Sequence, residues 1–188
     1  MTALIVIGII VLVVIIAGVA MYNGLVRLNV RTDEALSDIT VQLKRRLDLI
    51  PNLVNTVKGY AKHEAEVLET VAKERAGAIS GGGSIKETAA ADNVLTGALK
   101  SVFAVAESNP DLKANQNFLQ LQAELTDTED KVQAARRFYN SSARDLNIKI
   151  KTFPTSIFAG MLGFKTREFY EVDEAEAAAV NKPVDVNF

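Results

Sequence analysis

The only histidine of the chain stands in His63-Glu64-Ala65-Glu66, a carboxylate-rich setting that invites a metal-hydrolase reading. A helical zinc site needs a second histidine four residues on, and that position holds Val67. Two groups of acids, Glu64, Glu66, Glu69 and Glu74, then Glu124, Asp127, Glu129 and Asp130, have spacings that a di-iron bundle could use. Such a centre takes Glu-x-x-His pairs from facing helices, and one histidine cannot supply two of them. The acids therefore read as solvated faces and His63 as a surface residue. Gly81-Gly82-Gly83-Ser84 has neither the lysine nor the strand context of a phosphate loop and reads as a linker. No motif frames a serine as a nucleophile. The absence of cysteine excludes disulfides, thiolate metal sites and a cysteine nucleophile. The expectation is a protein that is not an enzyme, with no catalytic, cofactor-binding or metal-binding residue.

The residues suited to recognition are basic. Lys44, Arg45, Arg46, Lys58, Arg136 and Arg137 are the candidate partner-binding set, since arginine forks recognise carboxylates in a bidentate manner. Their alternative role is ion pairing with nearby acids inside the fold. A net charge of −2 gives no basic stripe for nucleic acid.

Residues Ala3 to Met21 form an apolar run without a charge, and the first charged side chain is Arg27. About 20 helical residues cross the roughly 30 Å hydrocarbon core of a bilayer. Gly18-Val19-Ala20 resembles a signal-peptidase site, but no Lys or Arg precedes the run, which favours a retained anchor over a cleaved signal. Basic residues follow the run, at Arg27, Arg31 and Lys44 to Arg46. The positive-inside rule then places the N-terminus outside and the larger domain in the cytoplasm, as a single-pass protein of the cell membrane.

The remainder reads as all-α, most simply an antiparallel four-helix bundle with short connections. Leu28, Ala35, Ile39, Leu43 and Leu47 form a first stripe continuing the membrane helix. Asp48-Leu49-Ile50-Pro51 predicts a break, with Asp48 capping a second helix and Pro51 in its first turn; a kink in one very long helix is the other reading. That helix carries Leu53, Val57, Tyr60, Val67 and Val71, and stops at the glycine linker. A third carries Leu95, Leu99, Val102 and Ala106, ending near Pro110. The fourth has a heptad seam of Phe118, Leu121, Leu125, Thr128, Val132, Ala135, Tyr139, Ser142 and Leu146.

The expected organisation is a transmembrane anchor over residues 1–22, a helical-bundle domain over 23–152, an apolar segment over 153–170 and an acidic, flexible tail over 171–188. Four passes return the chain to the bilayer, so Ile157, Phe158, Met161, Leu162 and Phe164 are candidate membrane-contact residues. Capping of the open end of the bundle is the other reading of that segment. Self-association is a further option, permitted by the seam and by the small-residue pair Ala20-x-x-x-Gly24.

Several motifs carry a family resemblance. Tyr22-Asn23-Gly24-Leu25-Val26, Asp33-Glu34-Ala35, Val41-Gln42-Leu43-Lys44-Arg45-Arg46 and Asp48-Leu49-Ile50-Pro51-Asn52-Leu53-Val54 lead. Val57-Lys58-Gly59-Tyr60-Ala61, Pro110-Asp111-Leu112-Lys113-Ala114-Asn115 and Ala134-Ala135-Arg136-Arg137-Phe138-Tyr139-Asn140 follow. Together they resemble the LemA family of bacterial membrane proteins. Leu36, Thr40 and Leu47 depart from the residues usual there. The resemblance implies one N-terminal membrane helix, an antiparallel helical bundle in the bacterial inner membrane, and no established catalytic activity. Related proteins have been linked to membrane organisation in magnetosome-forming bacteria. With this, the expected function is a non-catalytic scaffold or adaptor for a protein partner at the cytoplasmic face; the alternative is a self-assembling protein that organises the membrane.

Overall fold

The computed structural model describes residues 1–60, 65–80 and 84–171. His63 and Glu64, the three glycines of the linker and the tail from residue 172 lie outside them. Every regular element among the described residues is helical: α1 (Thr2–Lys58), α2 (Ala65–Ser80), α3 (Ile85–Ser108), α4 (Pro110–Lys113), α5 (Gln116–Lys151) and α6 (Thr155–Met161).

The predicted break at Asp48 to Pro51 does not occur. α1 runs for 57 residues with Pro51 in its interior. A proline there deprives the carbonyl four residues back of its donor, which ordinarily costs about 3 kcal/mol or more. That carbonyl belongs to Leu47, and Arg75 of α2 donates its Nε–H to it at 2.8 Å. Core packing also favours continuity, because Ile39, Arg46, Ile50, Leu53 and Val57 are all buried along one face. Their spacings of seven, four, three and four residues continue one helical face through Pro51 without a slip. The stripe assigned to a single second helix is thus shared between α1 and α2. The turn comes at Gly59-Tyr60, where the Tyr60 N–H donates to the Val57 carbonyl at 3.0 Å.

The other helix starts are locally encoded. Ser84 caps α3 in a capping box with Glu87, so the residue read as the end of a linker is the first of a helix boundary. Asn109 and Asn115 cap α4 and α5 by accepting from Leu112 and Phe118. Their side-chain amides donate outward to the carbonyl and hydroxyl of Tyr60, at 3.2 and 2.8 Å. One tyrosine therefore ties the end of α1 to the α3–α5 connection.

α1 and α5 form the most extensive helix pair, and α2 packs chiefly on α3. Leu25 meets Leu146, Ala35 and Ile39 lie with Tyr139 and Ala143, and Leu53 shares a cluster with Leu125 and Phe118. The α5 seam is its buried face at Phe118, Leu125, Thr128, Val132, Tyr139, Ser142 and Leu146, with Leu121 and Ala135 half-buried. Each fully buried aliphatic or phenylalanine side chain contributes about 1.5–3 kcal/mol of burial. By contrast, the N-terminal part of α1 buries nothing in its most apolar window and is long and apolar enough to cross a membrane.

Candidate functional site

Three helices converge on one buried carboxylate. Asp92 occupies the same face of α3 as Leu95, Leu99, Val102 and Ala106, so helical spacing carries it into the core. It is 3 % exposed. Arg46 of α1, also 3 % exposed, donates Nη1–H to Asp92 Oδ1 at 2.8 Å and Nη2–H to Thr96 Oγ1 at 3.0 Å. The same Nη1 lies 2.9 Å from Glu129 Oε2. Arg136 of α5 donates Nη2–H to Asp92 Oδ2, the oxygen that also accepts from the Tyr170 hydroxyl at 3.1 Å. The Arg136 guanidinium lies 5.0 Å from the centre of the Tyr170 ring.

Charge in this cluster balances: two guanidinium ions face two carboxylates. Burial opposes the Arg136 charge, but Asp92, with Tyr170 and Glu129, outweighs it and raises the pKa of Arg136 above its ordinary value. Burial, followed by the Asp92 charge, pushes the Tyr170 hydroxyl far above the usual tyrosine range. Each carboxylate of the cluster is engaged by a cation. Among the described residues, no three His, Asp or Glu side chains gather as a metal ion would require. The arrangement joins α1, α3 and α5 to the C-terminal segment.

This cluster divides the candidate partner-binding set. Arg46 and Arg136 are withdrawn from the surface and take the alternative role, ion pairing inside the fold. Lys44, Arg45, Lys58 and Arg137 remain exposed. Lys44 stands on a groove of about 510 Å³ between α1, α2 and the start of α3, walled by Leu36, Leu43, Leu47, Ile79 and Ile85. Arg45 faces α5. The hydrogen bond from Lys131, aided by the charges of Lys131 and Arg45, holds the Asp127 carboxyl below its usual pKa. Glu129, grouped with the solvated acids from sequence, instead engages Arg46.

Residues 163–171 follow α6 as a strap across α5. Asn147 accepts from the Arg167 N–H at 2.8 Å and donates to the Arg167 carbonyl at 2.9 Å. One heptad earlier, Asn140 does the same for Tyr170, at 2.8 and 3.0 Å. The Tyr139 hydroxyl donates to the Glu168 carbonyl at 2.9 Å, and burial raises the pKa of that tyrosine. Arg167 reaches across to α1, donating to Asn29 and Asp33 at 3.0 and 2.7 Å.

The candidate membrane-contact residues also divide. Phe164 is half-buried, packed on the Leu25 cluster and edge-on to the Tyr22 ring at 6.2 Å. Ile157, Phe158 and Met161 of α6 and Leu162 just after it are exposed, while Thr155 and Ala159 of α6 are buried. Of the two features that suggested self-association, the seam is engaged within the chain, while Ala20 of the small-residue pair is exposed. The α5 seam packs on α1, and Lys149 Cε lies 3.9 Å from where a Cβ on Gly24 would sit.

Sequence reasoning passed over Asp92, Tyr170, Asn140 and Asn147. An acid on an otherwise apolar stripe was the available sign for Asp92. Two asparagines seven residues apart beside the α5 seam were the sign for the strap.

Comparison with known proteins gives a consistent family. The model of the LemA family matches residues 35–188. Magnetosome protein MamQ 2 of Paramagnetospirillum magneticum is 25 % identical over 207 residues, covering 96 % of this chain and 76 % of the relative. Magnetosome protein MamQ of Magnetospirillum gryphiswaldense is 24 % identical over 187 residues, covering 86 % and 69 %. Protein LemA of Metamycoplasma hominis is 29 % identical over 163 residues, covering 85 % and 73 %.

Proposed function

The chain belongs to the LemA family, and from that premise we propose that it is a non-catalytic, membrane-anchored scaffold or adaptor. Residues 3–21 hold it in the inner membrane, and α1, α2, α3 and α5 form an antiparallel four-helix bundle on the cytoplasmic side. The bundle binds a protein partner through its exposed cations. Names that denote magnetosome proteins in the relatives fit a membrane-associated role.

One observation carries the partner reading. The fold neutralises Arg46 and Arg136 internally with Asp92 and Glu129, yet leaves Lys44, Arg45 and Arg137 facing outward. Lys44 borders an apolar groove, so that face offers burial and charge together. The partner is accordingly a protein surface with an apolar ridge and carboxylates beside it.

Photoreactive residues at Arg45 and Arg137 of the full chain test this in cells. A distinct protein should crosslink, and Lys44→Glu with Arg137→Glu should abolish its capture. Capture of this chain alone would replace the adaptor by a self-assembling membrane organiser. Capture that survives charge reversal would overturn the role given to the cations.

A further inference from the structure

We propose that α6 is a foot seated in the surface of the bilayer that α1 crosses, with Phe153, Ile157, Phe158, Met161 and Leu162 lying among lipid headgroups and upper acyl chains. The inference rests on the reading of residues 3–21 as a membrane span.

Its height comes from the pairing of α5 with α1. Leu146 packs with Leu25 and Ala159, and Lys149 Cε lies 3.9 Å from where a Cβ on Gly24 would sit. Phe153, two residues after α5 ends at Lys151, therefore falls near the end of the charge-free run. Phe164 returns the chain to Tyr22, one residue after that run ends.

α6 is two-faced at this level. Thr155 and Ala159 are buried against the domain, while Ile157, Phe158 and Met161 of α6 and Leu162 at its C-terminal cap are exposed. Met161 is 83 % exposed and Phe153 76 %. Such an apolar surface is costly in water, and here it adjoins the fully exposed apolar surface of the span. Continuity between those surfaces selects lipid as the occupant. Exposed Lys151 and Lys165 flank α6, placed to meet anionic headgroups, and exposed Tyr22 suits the interfacial belt.

The test uses the full chain in vesicles of phosphatidylcholine, with and without phosphatidylglycerol. The protein has no cysteine, so Val11→Cys, Met161→Cys and Asp111→Cys each carry a single fluorescent label. Spin-labelled lipids should quench the Val11 and Met161 labels but not the Asp111 label at the far end. Phosphatidylglycerol should strengthen quenching at Met161, and Lys151→Glu with Lys165→Glu should remove that increment. Quenching at Val11 without quenching at Met161 would overturn the foot and leave the span intact. Absence of quenching at both would remove the span and the foot together. Self-quenching between Met161 labels without lipid quenching would make the occupant a second copy of the chain.

Discussion

Arg75 supplies Leu47 with the hydrogen bond that Pro51 cannot, its Nε–H lying 2.8 Å from the Leu47 carbonyl. The bond joins α2 to α1 at the point where the α1 ladder is interrupted. A charged donor to a half-buried carbonyl contributes roughly 1–2 kcal/mol. Arg75→Ala should lower stability by about that amount, measured by chemical denaturation. In a Pro51→Ala background the helix regains its own donor, so the same substitution should cost distinctly less. Equal costs in the two backgrounds would show that Arg75 does not act through Leu47.

Asp92 is the sole carboxylate shared by both buried arginines among the described residues. Removing one partner of a buried ion group leaves uncompensated charge, typically at a cost of about 3–5 kcal/mol. Asp92→Ala should therefore destabilise severely. Replacing Arg46, Asp92 and Arg136 together by Met, Leu and Met should recover most of the loss. A loss under about 1 kcal/mol in the single variant would mean that the arginines escape to solvent.

Alkaline pH should loosen the strap. Burial raises the Tyr170 and Tyr139 hydroxyls above the ordinary tyrosine value of 10.0. The folded chain thus keeps these protons at a pH where the unfolded chain has lost them. Their contribution is complete below about pH 10 and declines as pH rises beyond it. Denaturation midpoints should fall across that range, and less steeply in Tyr170→Phe. A slope identical to that of the parent chain would exclude Tyr170 as its source.

Asn140 and Asn147 each hold one strap residue through two hydrogen bonds. Loss of two neutral bonds amounts to about 2 kcal/mol, or on the order of 30-fold in a local opening equilibrium. Asn147→Ala should accelerate amide exchange at Arg167 by that factor while leaving Leu53 and Val132 protected. Equal acceleration throughout would indicate global unfolding instead.

Helices whose stabilising partners share their own heptads were legible from sequence. The α5 seam from Phe118 to Leu146 and the α3 stripe from Leu95 to Ala106 announce themselves by spacing alone. Pro51 misled because its remedy, Arg75, lies on another helix, beyond the reach of local rules. Arg46 and Arg136 stood between partner binding and internal ion pairing, because a charge reveals its burial only through its counter-ion. Asp92 sits 46 and 44 residues away from them. Family resemblance marked the arginine motifs as distinctive without saying which way each side chain faces. Tyr170 had no periodic signal at all, since a strap lies in an extended path and takes its order from asparagines on the neighbouring helix.

With residues 3–21 read as a membrane span, the unbroken α1 becomes a lever. From Met21 to Lys58 the helix rises roughly 55 Å, so an ordinary membrane-helix tilt of about 20° swings its far end by roughly 20 Å. A change in bilayer thickness that alters the tilt would thus be magnified where Tyr60, Asn109 and Asn115 meet. A foot beside the fulcrum would couple that angle to the bilayer surface, making the position of the far end a readout of the local membrane.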